Sequence, residues 1–299
     1  MYEDVPRPEP AAEDVLIRVC AAGVNPVDWK VREGFGRNFL KFTLPLILGW
    51  DASGVVERVG ANVRRLKIGD EVYSRPDINR DGTYAEYAVV REAEVALKPK
   101  SLDHEHAAAV PLAALTAWQA LFEDANLTPA QTVLIHGAAG GVGNYAAQLA
   151  RWRGARVVGT ASQRNQDFLR ELGCTQTIDY TATRFEDVVQ DSDVVLDTVG
   201  GETQDRSWKV LRKGGILVSV VPGNPSAETA AAHGVRCSHT VVRPNASQLE
   251  QIATLIDSGK VKVHLEKVFE LRQAREAQEI NKLGHTRGKI VLHVSDAAG

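Results

Sequence analysis

The feature that most constrains this chain is an apolar run, Thr132-Val133-Leu134-Ile135-His136, that ends in Gly137-Ala138-Ala139-Gly140-Gly141-Val142-Gly143 and opens a helical segment from Asn144 to Arg153. A second β-type run, Arg156 to Thr160, follows it. A strand turning through glycines into a helix brings backbone N–H groups and the positive end of the helix to one point, as a dinucleotide pyrophosphate requires. Without a ligand, the same residues make a tight strand-to-helix turn. The first position of the Gly-x-Gly-x-x-Gly pattern is Ala138, followed by Gly140 and Gly143. An alanine fits there if its φ is negative.

The rest of the chain falls into two textures. Up to about residue 100, short β signals at Val15–Val19, Ala52–Val59, Glu71–Tyr73 and Tyr84–Val90 are punctuated by turn residues, which suggests a small, mostly antiparallel β domain. His104 to Leu121 reads as helix interrupted at Pro111. A β-then-α rhythm follows, with strands expected at 132–136, 156–160, 176–179, 193–197, 216–221 and 239–243, and with helices over 163–172 and 248–258. This alternation predicts an α/β fold with a parallel, doubly wound sheet. The β texture returns after about 261, with a helix through Leu271, Ala274, Ala277, Ile280 and Leu283 and a last strand at Lys289–Val294. The β domain is therefore expected to be split, as 1–113 with 254–299, around a nucleotide domain at 114–253.

Composition excludes several classes. The net charge of -3 with no long basic run gives no support for nucleic-acid binding. No apolar stretch reaches the roughly 18 residues of a spanning helix, so no membrane partner is expected. The N-terminus has neither the basic nor the apolar region of a signal peptide, and a cytoplasmic location is expected. Cys20, Cys174 and Cys237 are far apart, and His104 and His106 stand two residues apart, so no metal site is expected.

The cofactor's identity is read after the second strand. An NAD site places an acid about twenty residues past the glycine loop. Here the run is Val158-Gly159-Thr160-Ala161-Ser162-Gln163-Arg164-Asn165, with no acid. Ser162 can donate to a ribose 2′-phosphate and Arg164 can pair with it, which favours NADPH. Alternatively, Ser162 caps a helix and Arg164 is a solvated first-turn residue. Tyr180 is either a further phosphate contact or an ordinary surface tyrosine.

Taken together, these residues resemble the zinc-independent medium-chain dehydrogenase/reductases, in the branch of NADPH:quinone oxidoreductases and enone reductases. The stretches that carry the resemblance are Ala22-Gly23-Val24-Asn25-Pro26-Val27-Asp28, Leu48 to Val56, Gly69-Asp70-Glu71-Val72-Tyr73, His136 to Gly143, Asp197-Thr198-Val199-Gly200-Gly201 and Arg287-Gly288-Lys289-Ile290-Val291. The resemblance implies a Rossmann sheet inserted in a GroES-like domain, and a homodimer formed near Ser238 to Val242. Similar zinc enzymes carry a catalytic Cys near Asn25 to Asp28 and a Gly-His-Glu at Gly49-Trp50-Asp51. They also carry a four-cysteine lobe where only Ser74 to Thr83 stands here. This chain has none of these. Similar proteins begin about twenty residues earlier, so the resemblance implies a β domain that starts part-way through its first strand region.

The resemblance implies metal-free hydride transfer to a quinone or an α,β-unsaturated carbonyl. The alternatives are an enoyl-thioester reductase and a catalytically silent NADPH-binding partner protein. Asn25 is the candidate catalytic residue, hydrogen-bonding the ribose or the substrate oxyanion; otherwise it is an Asn-Pro turn residue. Thr116 contacts the nicotinamide or is a buried helical threonine. Ala138, Ala139, Gly140, Gly141 and Val142 hold the pyrophosphate. Val199 with Gly200 and Gly201, Val220 with Val221, and Val242 with Arg243 frame the nicotinamide ring. Lys289 bonds the cofactor or is an exposed strand residue, and Trp50 shapes the pocket or fills the core. No general acid stands out, and the loops around 29–45 and 222–240 do not reveal the acceptor.

Overall fold

The computed structural model describes residues 2–37, 40–41 and 44–296. Residues 38, 39, 42 and 43 of the 29–45 loop therefore lie outside the described residues. The chain forms two compact units, residues 1–115 with 243–299 and residues 116–242.

The first unit is built on a seven-stranded sheet: β1 (Asp14–Val24), β2 (Ala52–Val59), β3 (Glu71–Ser74), β4 (Tyr87–Arg91), β5 (Val95–Leu97), and, from the end of the chain, β12 (Leu265–Glu270) and β13 (Lys289–His293). Every pairing is antiparallel except β12 with β13. β1 is the spine, pairing with β2, β4 and β13, and its apolar residues are covered on both faces. Val15, Ile17 and Val19 pack with Val56, Val72, Val90 and Val95; Ala22 and Val24 pack with Phe269, Ile290 and Leu292. Helices α1 (Pro26–Arg32) and α2 (His104–Ala108) lie in this unit, and α3 (Pro111–Trp118) begins in it and runs past residue 115.

The second unit is a six-stranded, fully parallel sheet: β6 (Thr132–Ile135), β7 (Arg156–Ala161), β8 (Gln176–Asp179), β9 (Ser192–Asp197), β10 (Leu211–Ser219) and β11 (Arg236–His239). Its helices are α4 (Gly141–Trp152), α5 (Gln166–Leu172), α6 (Glu202–Ser207) and α7 (Ala227–His233). The order β11-β10-β9-β6-β7-β8 is that of the doubly wound dinucleotide fold, with its switch point between β6 and β9. The first unit also contains α8 (Ala246–Asp257) and α9 (Ala274–Lys282).

Four details differ from the sequence-based expectations. The sixth strand is Arg236–His239, not 239–243: α7 ends at Gly234 in a left-handed conformation, the chain re-enters the sheet at once, and Val241 stays exposed. β4 begins at Tyr87, because residues 82–84 hydrogen-bond instead to the backbone of 47–49. The Asn25-Pro26 turn is a helix start, with Asn25 as N-cap and proline in the first turn. Finally, α8, which the expected boundary at 254 divides, belongs whole to the first unit, where the Tyr73 hydroxyl donates to the Leu249 carbonyl at 2.5 Å.

Candidate functional site

In the second unit the candidate residues gather at the carboxyl ends of the parallel strands. β6 ends in a turn that only glycine can make: Gly137 has φ +64°, and a Cβ on it would sit 2.6 Å from Thr198 Oγ1. A Cβ on Gly143 would fall 2.2 Å from the Gly137 carbonyl, so α4 packs directly on the turn. Ala138 is fully buried, its φ is not positive, and its N–H donates to the Thr160 carbonyl. The Gly140 N–H closes the turn on the Gly137 carbonyl. α4 then opens without a capping side chain, and among the described residues no acceptor meets the N–H groups of Ala139, Gly141 and Val142. A Cβ on Gly140 would meet only the Gly137 carbonyl, at 3.2 Å, so this side of the loop is open for a phosphate to approach. These residues fit a dinucleotide pyrophosphate.

Ser162 and Arg164 follow β7, and Tyr180 follows β8 with its N–H on the Ala161 carbonyl. Ser162 is the N-cap residue of a short 3₁₀ turn, but its hydroxyl does not cap it; it accepts from Asn165 Nδ2 at 3.4 Å. Arg164 and Tyr180 are exposed. Asp179 stands opposite Ala161 in the ladder, with its Oδ1 accepting from the N–H and hydroxyl of Thr181. Val199 is exposed, Val220 and Val242 are half-buried, and Thr116 is buried on α3. The β9 turn is held by Asp197, which sequence reasoning quoted without giving it a role. This buried carboxylate accepts from the N–H groups of Val199 and Gly200 at 2.9 and 2.8 Å and from Gln204 Nε2 at 2.8 Å.

In the first unit Asn25 and Lys289, 264 residues apart, come into direct contact. Lys289 is buried, not exposed: its ammonium donates to the Val24 carbonyl at 3.0 Å, to Asn25 Oδ1, and to Asp51 Oδ2 at 3.4 Å. An ammonium has three donors, and three acceptors meet them. Asn25 Nδ2 donates to Asp51 Oδ2 at 2.7 Å, and Asp51 Oδ1 accepts from the Leu112 N–H at 2.6 Å. Asp28, at the third position of α1, accepts from the Asn25 N–H at 2.7 Å and from the Tyr84 hydroxyl at 2.6 Å. Burial pushes the Asp28 carboxyl up to about 7, against the pull of Tyr84, the Asn25 N–H and Lys289. Burial also raises Asp51, opposed first by Lys289. Asp51, Asp28 and Tyr84 are the members sequence reasoning missed, although Asp28, three residues after an N-cap Asn, carried the signal of a capping box. Trp50 is fully buried core. Among the described residues no group of three or more His, Cys, Asp or Glu is placed to hold a metal ion.

This pairing of a split antiparallel sheet with an inserted doubly wound sheet has clear relatives. A family profile described as "Alcohol dehydrogenase GroES-like domain" matches residues 11–100, and one described as "Zinc-binding dehydrogenase" matches residues 172–292. A tomato (Solanum lycopersicum) 2-methylene-furan-3-one reductase is 37% identical, with 98% of this chain and 75% of the relative covered. The chain belongs to the medium-chain dehydrogenase/reductase family. Within it, the quinone oxidoreductase of Coxiella burnetii is 36% identical with a TM-score of 0.91, covering 98% of this chain and 94% of the other. The Escherichia coli quinone oxidoreductase complexed with NADPH is 28% identical with a TM-score of 0.87, covering 98% and 94%. The chain is an oxidoreductase of the quinone oxidoreductase and enone reductase branch.

Proposed function

We propose that this oxidoreductase reduces quinones or α,β-unsaturated carbonyl compounds with NADPH and without a metal ion, as a cytoplasmic homodimer paired through its edge strand β11. The observation that carries the cofactor choice is the edge formed by the ends of β7 and β8. A hydroxyl, a guanidinium and a phenol follow these strands at Ser162, Arg164 and Tyr180, and the acid that ends β8, Asp179, is engaged by Thr181. The metal-free reading is supported by Asp51, whose carboxylate is taken by Lys289, Asn25 and the Leu112 N–H.

When bound, NADPH supplies a hydride to the β-carbon of the acceptor, and a solvent proton completes the reduction at the α-carbon. The chain supplies placement and charge stabilisation. The open N–H groups of the glycine turn hold the pyrophosphate. Asn25 Nδ2 carries two protons, of which one is engaged by Asp51; the other is the donor for the acceptor's developing oxyanion or for the ribose. A conjugated carbonyl spreads its charge and needs little more than such a donor. The test is NADPH and NADH oxidation by the purified protein with a quinone, a short enone and a crotonyl thioester. Turnover of the quinone or enone with a clear NADPH preference is expected. NADPH binding without turnover on any of the three would overturn the reading, and turnover confined to the thioester would reassign it to enoyl-thioester reduction.

A further inference from the structure

The segment that joins β3 to Thr83 contains two arginines with different surroundings. Arg80 pairs with Asp14 through two hydrogen bonds, at 2.9 and 2.8 Å. Arg75 is only 5% exposed, yet its one hydrogen bond is from Nη1 to the carbonyl of its neighbour Pro76, at 3.1 Å. Its buried Nε has no partner among the described residues. Three carboxylates act on it through space, Asp51, Asp77 and Glu94. Each is held by another cation: Asp51 by Lys289, and Asp77 and Glu94 by Arg91 at 2.9 and 3.0 Å. Among the described residues none of them forms an ion pair with Arg75, and the other residues of the chain carry no acidic side chain.

A buried guanidinium without a direct counter-ion is costly, and the three carboxylates, acting only through space, offset that cost in part. Burial accordingly pulls the Arg75 guanidinium below its ordinary value. The position is informative. Ser74 faces Ala52 at the end of the β2–β3 ladder, so Arg75 lies one step further along, beside Asp51 and the Asn25 network. The guanidinium whose Nε lacks a partner has the planar fork of donors that a carboxylate matches.

We infer that Arg75 anchors a carboxylate carried by the electron acceptor, so that the preferred substrates are conjugated carbonyl compounds bearing an acid group. This rests on the reductase reading above and names its substrate class. A neutral quinone or enone fills the same site without compensating the charge.

The experiment compares trans-4-oxo-2-pentenoate with its methyl ester, and adds the saturated 4-oxopentanoate as a ligand that needs no turnover. The wild type is expected to favour the acid over the ester by about tenfold in kcat/KM, carried by KM. Arg75→Met should abolish that preference, and Arg75→Lys, which keeps the charge but loses the fork, should keep part of it. 4-Oxopentanoate should raise the melting temperature of the wild type and not of Arg75→Met. The ligand-free Arg75→Met protein should melt no lower than the wild type, because an unpaired buried charge has been removed. Equal use of acid and ester by the wild type, an equal thermal shift in both proteins, or a large loss of ligand-free stability in Arg75→Met would each overturn the inference. If no acceptor oxidises NADPH, the reductase reading fails, and the thermal shift still decides whether Arg75 binds a carboxylate.

Discussion

The two units treat their polar atoms in opposite ways. At the glycine turn after β6, backbone donors are left outward and the packing that shapes them is backbone against backbone. At Asn25, Asp51 and Lys289, side-chain donors and acceptors are closed on one another in a buried cluster. The first arrangement suits an anion, and glycine positions define it. The second fixes the orientation of one amide, Asn25, and depends on a charge balance that every member must keep. Substitutions should therefore behave differently: in the cluster they should act through stranded charge, in the turn through lost space.

The sharpest break is Lys289→Met. It leaves the Asp51 carboxylate buried with only Asn25 and the Leu112 N–H, and should cost about 3–5 kcal/mol in denaturant unfolding. Adding Asp51→Asn removes the stranded charge and should recover much of the loss. A double variant no more stable than the single one would show that charge balance is not what the cluster maintains.

The turn gives the counterpart. A methyl at Gly143 meets two backbone atoms, the Gly137 carbonyl oxygen at 2.2 Å and Ala138 Cα at 2.7 Å, so neither neighbour can yield by rotating a side chain. Gly143→Ala should cost about 1–3 kcal/mol and weaken NADPH binding with it. Gly140→Ala, at a negative φ with one contact at 3.2 Å, should keep its melting temperature yet lose about tenfold in NADPH affinity by fluorescence titration. Equal effects of the two substitutions on stability would remove the distinction between packing and ligand faces.

The cluster also has a pH signature. Asp28 holds its proton to about 7 in the folded state, against 3.8 ordinarily, so its contribution to stability is full at low pH and is lost as pH rises toward 7. His136 works the other way. Burial lowers it to about 4 from 6.5, so its contribution grows as pH rises through that window and masks Asp28 in the wild type. Asp28→Asn keeps an acceptor for Tyr84 and for the Asn25 N–H but cannot ionise. Its stability relative to the wild type should therefore increase from pH 5.5 to 7 by up to about 1.4 kcal/mol per pH unit. A pH-independent difference between the two melting curves would place the folded-state ionisation of Asp28 below this range.

The same contrast explains what the sequence made legible. Parallel strands covered on both faces read as apolar runs, and the first five candidates of the nucleotide sheet coincide with β6 to β10 in order. The sixth was drawn to Val241 and Val242, an apolar pair that the strand does not include. The glycine turn was legible because one short segment contains all of it. The cluster was not: its members lie at 25, 28, 51, 84 and 289, and no local pattern tells a buried lysine in a strand from a solvated one. Arg75 was hidden for the same reason, since only the folded chain shows which arginines lack a partner.

The smallest expected effect lies between these extremes, at the side chains proposed to read the ribose phosphate. Ser162, Arg164 and Tyr180 follow two adjacent parallel strands, and Arg164 and Tyr180 are exposed, unlike the buried Lys289. Arg164→Ala should raise the KM for NADPH roughly tenfold, as expected for loss of one charged hydrogen bond, with a much smaller change for NADH. Its melting temperature should stay close to that of the wild type, because a surface arginine contributes little to folding. Tyr180→Phe should move the same ratio by only about twofold, since a phenol reaching from an exposed position competes with water for the phosphate. If Arg164→Ala changed both cofactors equally, this arginine would support the fold of the loop instead of reading the ribose phosphate, and the choice of NADPH would fall to Ser162 and Tyr180.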